Sequence, residues 1–209
     1  GAELVARAAP DGYTIIIVAS TYATTSAYGK PSYDPISGIQ PIILIGTTGL
    51  VMTVHPAVPA KNMRELIDYA KAQPGKLNYA SVGAGSIPHL AQELLKLETG
   101  INMVHVPYKG AGPALVALVG GEVQLTAISM VPILPHIKAG RLRAIAISNP
   151  TRSSALPDVP TISETVPGFE VVHWYGLWGP RGLPMDIVGR WNKEVATLLL
   201  TDDLKSRAR

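Results

Sequence analysis

Twice within about 30 residues the sequence runs from a short apolar segment through a glycine-containing loop into a segment opened by proline. The first copy is Tyr79 to Leu95 (YASVGAGSIPHLAQELL) and the second starts at Met103 (MVHVPYKGAGPAL). Each reads as strand, loop, helix, and together with the other strand and helix patterns they imply an α/β fold with a mainly parallel sheet. Proline suits a first helical turn, because its fixed φ is already helical and the amide it lacks has no intrahelical acceptor. Behind Pro88, Leu90, Leu94 and Leu97, flanked by Ala91 and Leu95, follow the helical period and predict the buried face.

These loops carry the candidate site. Gly83 and Gly85 let the backbone bend near a partner, and Ser81 and Ser86 place hydroxyls beside the unpaired amides of a helix start. Such a start attracts anions, because the amides and the positive dipole end point the same way. The rival reading is that Ser86 caps its own helix and the glycines only turn the chain. In the second copy, Tyr108, Lys109 and the amides from Gly110 to Gly112 offer further donors, although Lys109 also reads as a solvated surface charge. The stretch is not a dinucleotide fingerprint, since Pro88 stands where the third glycine belongs. No P-loop or G-x-S-x-G elbow is present.

The 209 residues suffice for one large domain or two lobes, and 47% hydrophobic against 16% charged residues supports a sizeable core. A net charge of +3 without basic runs argues against a nucleic-acid surface, and agrees with a small acidic ligand. The absence of cysteine excludes disulfides and thiolate catalysis. No apolar run reaches the length of a membrane span. Five histidines (55, 89, 105, 136 and 173) form no metal-binding spacing, so neither a metal nor a cofactor is expected. His89, in the first turn of its helix, is the one histidine placed to touch a ligand, with packing or capping as its alternative. Ser86 and His89 mimic a nucleophile and base, but no third group accompanies them.

Along the rest of the chain, Ala2 to Ala9 reads as the end of a helix closed by Pro10-Asp-Gly12. Tyr13 to Ala19 reads as a strand buried on both faces of a parallel sheet, followed by a hydroxyl-rich loop, Ser20 to Ser26. Ser20 and Thr21 are candidate ligand contacts there, because ligands bind at the carboxyl ends of strands in open α/β sheets. The apolar segment Ile42 to Thr53 is interrupted at Gly46 and Gly49. A helix starts at Asn62 with Glu65 as its capping-box partner and Met63, Leu66, Ile67 and Ala70 inward. Strands are expected at Leu77 to Ala80, Val123 to Ile128 (with Ser129 at a pocket edge), Leu142 to Ser148 and Trp174 to Trp178. Ile133 to Ala139 reads as a short helix, and a last helix from Pro184 turns Ile187, Val188, Trp191, Val195 and Leu198 inward.

Seven segments, DGYTIIIVAS, LNYASVGAGSIPHLAQELL, VHVPYKGAGPAL, GEVQLTAIS, HIKAGRLRAIAIS, LPDVPTISE and WYGLWGPRGLP, occur in the order seen in one family. The chain resembles the substrate-binding receptors of tripartite tricarboxylate transporters, the Bug-type proteins. The resemblance implies a two-lobed Venus-flytrap of the type II periplasmic-binding-protein fold, in the periplasm, monomeric at full length and without catalysis. It implies capture of a small carboxylate (di- or tricarboxylate, aromatic or aliphatic) for membrane partners. The implied ligand contacts are Ser20, Thr21, Ser81, Gly83, Gly85, Ser86, His89, Tyr108, Lys109, Gly110, Gly112 and Ser129. Set against the family, the chain reads as a fragment truncated at both ends: a partial first lobe, 1–54 with 174–209, and a second lobe, 55–173. Where relatives often carry an aspartate after the GEVQL-like strand, Ala127-Ile-Ser-Met130 stands here, which disfavours an amino-acid ligand. The alternatives are a ligand-sensing domain of a regulator and, further off, a serine hydrolase.

Overall fold

The computed structural model describes residues 1–29 and 31–207, so the last two residues of the expected segment 174–209 lie outside the described residues. In chain order the first elements are α1 (Ala2–Ala6), β1 (Ile16–Ala19), α2 (Thr21–Tyr28), β2 (Ile39–Val54), α3 (Met63–Ala72), β3 (Asn78–Ser81) and α4 (Ile87–Thr99). Then follow β4 (Val104–Pro107), α5 (Ala111–Val119), β5 (Leu125–Ser129), α6 (Met130–Lys138) and β6 (Arg143–Ile147). A 3-10 turn at Ile162–Glu164 precedes β7 (Val172–Pro180), α7 (Met185–Leu199) and α8 (Asp202–Arg207). Residues 1–47 with 174–209 cluster as one unit and residues 48–173 as another. No helix among the described residues is long and apolar enough to cross a membrane.

In the first unit β1 pairs antiparallel with β7, Ile16 opposite Trp178 and Ala19 opposite Tyr175. The expected parallel strand from Tyr13, buried on both faces, is therefore corrected. The strand begins at Ile16 and ends the strand order, so side-chain alternation governs it: Val18 is 6% exposed and Ile17 65%. The polar loop expected at Ser20 to Ser26 is likewise a helix, α2. Its hydroxyls turn back on their own helix instead of breaking it, Thr24 Oγ1 and Thr25 Oγ1 both donating to the Thr21 carbonyl at 3.0 and 2.8 Å. The core here is Ile42, Leu177, Leu183 and Val188, with Ile187, Trp191 and Val195 packed against it. Leu198, expected inward, is exposed at the last turn of α7.

The second unit has strand order β6-β2-β5-β3-β4. β3 runs parallel to β4 and β5, while β2 runs antiparallel to β5 and β6. Both sheet faces are covered. Leu50, Met52, Val54, Tyr79 and Leu125 pack with α3 and α4 in one cluster, whereas Val51, Ala80 and Ile128 pack with α5 and α6 in another. This alternation follows from the pleat. β2 continues through Gly46 and Gly49, where an interruption is expected. A Cβ on Gly49 would lie 2.9 Å from Asn149 Cγ, so this glycine marks a close approach within a continuous strand.

The inward face of α4 also differs from expectation. Pro88, Ala91, Gln92 and Leu95 are buried, Leu90 and Leu94 are half-buried, and Leu97 is 79% exposed. The leucines misplace the face because a buried glutamine carries part of it: Gln92 Nε2 donates to the carbonyls of Ala80 (3.1 Å) and Pro88 (3.0 Å). The helix after β5 begins at Met130, earlier than Ile133, because strand and helix meet at Ser129 without a loop.

The capping box expected at α3 forms in half: Asn62 caps the helix, but the Glu65 carboxylate reaches the Lys61 amide, one residue before the cap, and not the Asn62 amide. The Glu65 amide donates to Asn62 Oδ1 at 2.9 Å, and Glu65 Oε2 accepts from the Lys61 amide at 2.7 Å. Met63, Leu66, Ile67 and Ala70 are buried beneath it. Asn62→Ala is expected to cost about 1 kcal/mol of stability, and Asn62→Gly only a few tenths. Urea denaturation of the two variants against the wild type measures this, and equal losses would sink the side-chain capping account.

Candidate functional site

In the second unit the carboxyl ends of three parallel strands carry most of the predicted contacts. Parallel pairing places Ser81, the last residue of β3, opposite Pro107, the last residue of β4. On the other side Ala80 pairs with Thr126, so Ser129 ends β5 three residues beyond that pair. The loops that follow β3 and β4 are joined directly, the Tyr108 amide donating to the Ser81 carbonyl at 3.0 Å. The Ala80 carbonyl, one residue before Ser81, accepts from both Thr126 Oγ1 (2.9 Å) and Gln92 Nε2 (3.1 Å), which pins this end of β3.

The serine–glycine loop is internally bonded. Ser81 Oγ lies 2.6 Å from His105 Nε2 and 3.1 Å from the Gly83 carbonyl, and it accepts from the Gly83 amide at 3.2 Å. Ser86 caps α4: its hydroxyl donates to the Gly83 carbonyl at 2.6 Å and accepts from the His89 amide at 3.4 Å. The Gly85 amide in turn donates to His89 Nδ1 at 3.1 Å. Of the two readings of Ser86, the structure shows the cap of its own helix. Gly83 and Gly85 hold φ values of 136° and 75°, which side-chain-bearing residues rarely adopt.

The second helix start is different. α5 opens on Gly110 (φ 108°, ψ 177°), and no side chain caps it. First-turn amides without a capping side chain, at the positive end of a helix, are donors that an anion satisfies. Gly112 lies in the first turn, Tyr108 is half-buried, and Lys109 is exposed. Ser129 closes β5 and starts α6 without a side-chain cap bond. In the first unit, Ser20 is buried with its amide donating to the Trp174 carbonyl at 3.0 Å, and Thr21 is the first residue of α2.

Sequence reasoning missed the support beneath the loop. His89 stacks on His105 (centroids 4.0 Å apart, 18° between planes), and His105 stacks on buried Tyr79 at 4.9 Å. Tyr79 donates its hydroxyl to Glu93, which Lys96 Nζ also meets at 2.7 Å. Burial pushes the Glu93 carboxyl up, but the hydrogen bonds from Lys96 and Tyr79 outweigh it and hold the group below the usual carboxylate range. Burial, and then nearby His89, lowers His105 below an ordinary histidine. His105 sits opposite Tyr79 in the β3–β4 register, a pairing that spacing along the chain does not reveal. Among the described residues no group of histidines and carboxylates is placed to hold a metal ion.

Comparison with known proteins gives consistent matches. The family described as "Tripartite tricarboxylate transporter family receptor" matches residues 1–200. A curated relative from Pseudomonas sp. strain P51, a UPF0065 protein of the tcbD-tcbE intergenic region, is 35% identical over 207 residues. The match covers 98% of this chain, which spans 62% of that relative's length. A solved structure described as a periplasmic transporter is 40% identical, with a TM-score of 0.93, covering 99% of this chain and 70% of its own. Rpa4515 of R. palustris, solved with adipate, is 36% identical with a TM-score of 0.93, covering 99% and 71%. MatC of Rhodopseudomonas palustris, solved with bound malate, is 33% identical with a TM-score of 0.89 over the same shares.

Proposed function

Because this chain belongs to the tripartite tricarboxylate transporter receptor family, we propose that it is a periplasmic receptor for a small carboxylate, which it delivers to the membrane components of such a transporter. The observation that carries the reading is the uncapped start of α5 beside the serine–glycine loop, at the carboxyl ends of parallel strands. One ligand carboxylate meets the amides from Gly110 to Gly112 and the donors of the Ser81–Ser86 loop, with Tyr108, Lys109 and Ser129 at the edge. Ser20 and Thr21 are the proposed contacts from the first unit. Charge-assisted hydrogen bonds of this kind are roughly twice as strong as neutral ones, and stronger still away from water. The adipate and malate bound by the two relatives are both small aliphatic dicarboxylates, which makes that class the first to test.

The serine hydrolase alternative fits the geometry poorly. Ser86 Oγ gives its proton to the Gly83 carbonyl, and His89 Nδ1 is occupied by the Gly85 amide, so the imidazole is not set to activate the hydroxyl.

A thermal-shift panel of mono-, di- and tricarboxylates tests the reading. At a ligand concentration near 100 Kd, binding adds about 2.7 kcal/mol, which raises the melting temperature by roughly 5–10 °C for a protein of this size. The expected result is a shift confined to one carboxylate class. A flat panel on folded, ligand-free protein would overturn the proposal.

A further inference from the structure

The hydrogen bond from the Gly85 amide to His89 Nδ1 fixes the state of the ring. A backbone amide only donates, so Nδ1 accepts through its lone pair, and the neutral ring carries its proton on Nε2. With the bond from the His89 amide to Ser86 Oγ, this makes a reciprocal cap in which histidine occupies the third helical position, where capping boxes carry glutamate or glutamine. The choice of residue matters. Glutamate accepts in its charged form and glutamine at every pH, but a histidine that takes a proton loses its lone pair and becomes a donor on both nitrogens.

We propose that His89 is a proton-operated latch on the serine–glycine loop: neutral, it holds the Gly85 amide, and protonated, it releases that amide to an anionic ligand and adds a positive charge beside it. This rests on the reading of the loop as a carboxylate site. Four groups face the ring. Glu93 Oε1 is 4.0 Å from Nε2 and attracts a charged ring. His105, stacked at 4.0 Å, and Lys96, bound to Glu93, repel a charged ring when they are charged themselves. Tyr79, with its hydroxyl on Glu93, stacks beyond His105 at 6.4 Å from His89 and contributes no charge. A carboxylate arriving at the loop adds negative charge on the open side and stabilises the protonated ring. Ligand binding and proton uptake are thereby coupled, and the coupling is reciprocal. His89 thus acts as a positioning residue for the loop amide as well as a source of charge.

The test is calorimetric titration of the protein with adipate and with malate between about pH 6 and pH 8, where histidine changes charge and the ligand carboxylates stay ionised. In the wild type, affinity is expected to rise as pH falls, approaching tenfold per pH unit where one proton is taken up. His89→Gln keeps an acceptor for Gly85 but does not titrate, so its affinity is expected to be flat over the same range. In parallel, the Gly85 amide resonance of the ligand-free protein should move with the titration of the His89 ring and stay fixed in His89→Gln. Wild-type affinity without pH dependence overturns the coupling, and so does an undiminished dependence in His89→Gln. A Gly85 amide indifferent to the His89 ring removes the latch itself. If neither dicarboxylate binds at any pH while Gly85 still follows the ring, the dicarboxylate class fails as the ligand and the coupling to it falls, while the ring's hold on Gly85 stands.

Discussion

Leu95→Ala is expected to lower the stability of the protein by about 3–5 kcal/mol, the cost of deleting a fully buried leucine and leaving its cavity. Leu95 is 0% exposed in the cluster that contains Met63, Leu66, Tyr79 and Leu125, so the space it vacates is walled by a helix and the sheet. Loss on this scale rivals the whole margin of a typical domain, which is about 5–15 kcal/mol. Leu97, two residues on and 79% exposed, provides the contrast. Leu97→Ala is expected to stay within about 0.5 kcal/mol of the wild type. Urea unfolding of both variants decides the matter. Similar losses at the two positions would mean that α4 turns a different face to the sheet. The comparison also bears on the proposed site, because Ser86 caps α4 and His89 lies in its first turn.

The second large effect is expected at Gly110. Its φ of 108° and ψ of 177° belong to a region open in practice to glycine alone, where other residues pay about 1–3 kcal/mol. A Cβ built there meets nothing within 4 Å, so the cost of Gly110→Ala is a backbone cost and not a clash. The chain relieves it by turning the peptide that leads into Ala111, the first residue of α5, and so re-aims the proposed carboxylate donors. At about 1.4 kcal/mol per tenfold, adipate or malate binding is expected to weaken by roughly 5- to 150-fold. Gly112→Ala is the control for folding. That glycine has helical surroundings and open space at its Cβ, so alanine is expected to hold or raise stability by about 0.5–1 kcal/mol. Calorimetry on Gly110→Ala showing undiminished affinity would remove the 110–112 amides from the site.

Parts of the site were legible because their chemistry is local. Asn62 and Glu65 lie three residues apart, and a side-chain cap needs nothing else, so the start of α3 could be read directly. The same holds for Ser86 before Pro88 and for the glycines at 83, 85 and 110, whose strained backbones only glycine supplies cheaply. The first unit was read less well, for a reason visible in β1. An apolar run of β-branched residues records a preference for a strand but not how many neighbours that strand has, and here it pairs antiparallel with β7 across more than 150 residues of sequence. The hydroxyls from Ser20 to Ser26 misled in the same way, because Thr24 and Thr25 satisfy themselves on helix carbonyls and need no turn.

What the sequence determined by itself was the alternation of strands and helices, the capped and glycine-opened helix starts, the absence of cysteine chemistry, and the ordered motifs of a receptor family. These depend on residues close together in the chain, where covalent geometry and hydrogen-bonding reach decide the outcome. Tertiary structure alone decided which face of α4 turns inward, since Gln92 is buried by bonds to Ala80 and not by its own polarity. It alone brought His105 opposite Tyr79 and beneath His89, through a strand register that spans 26 residues of chain. Burial and pairing are properties of neighbours in space, and the loop that takes the ligand in the proposed function stands on just such neighbours.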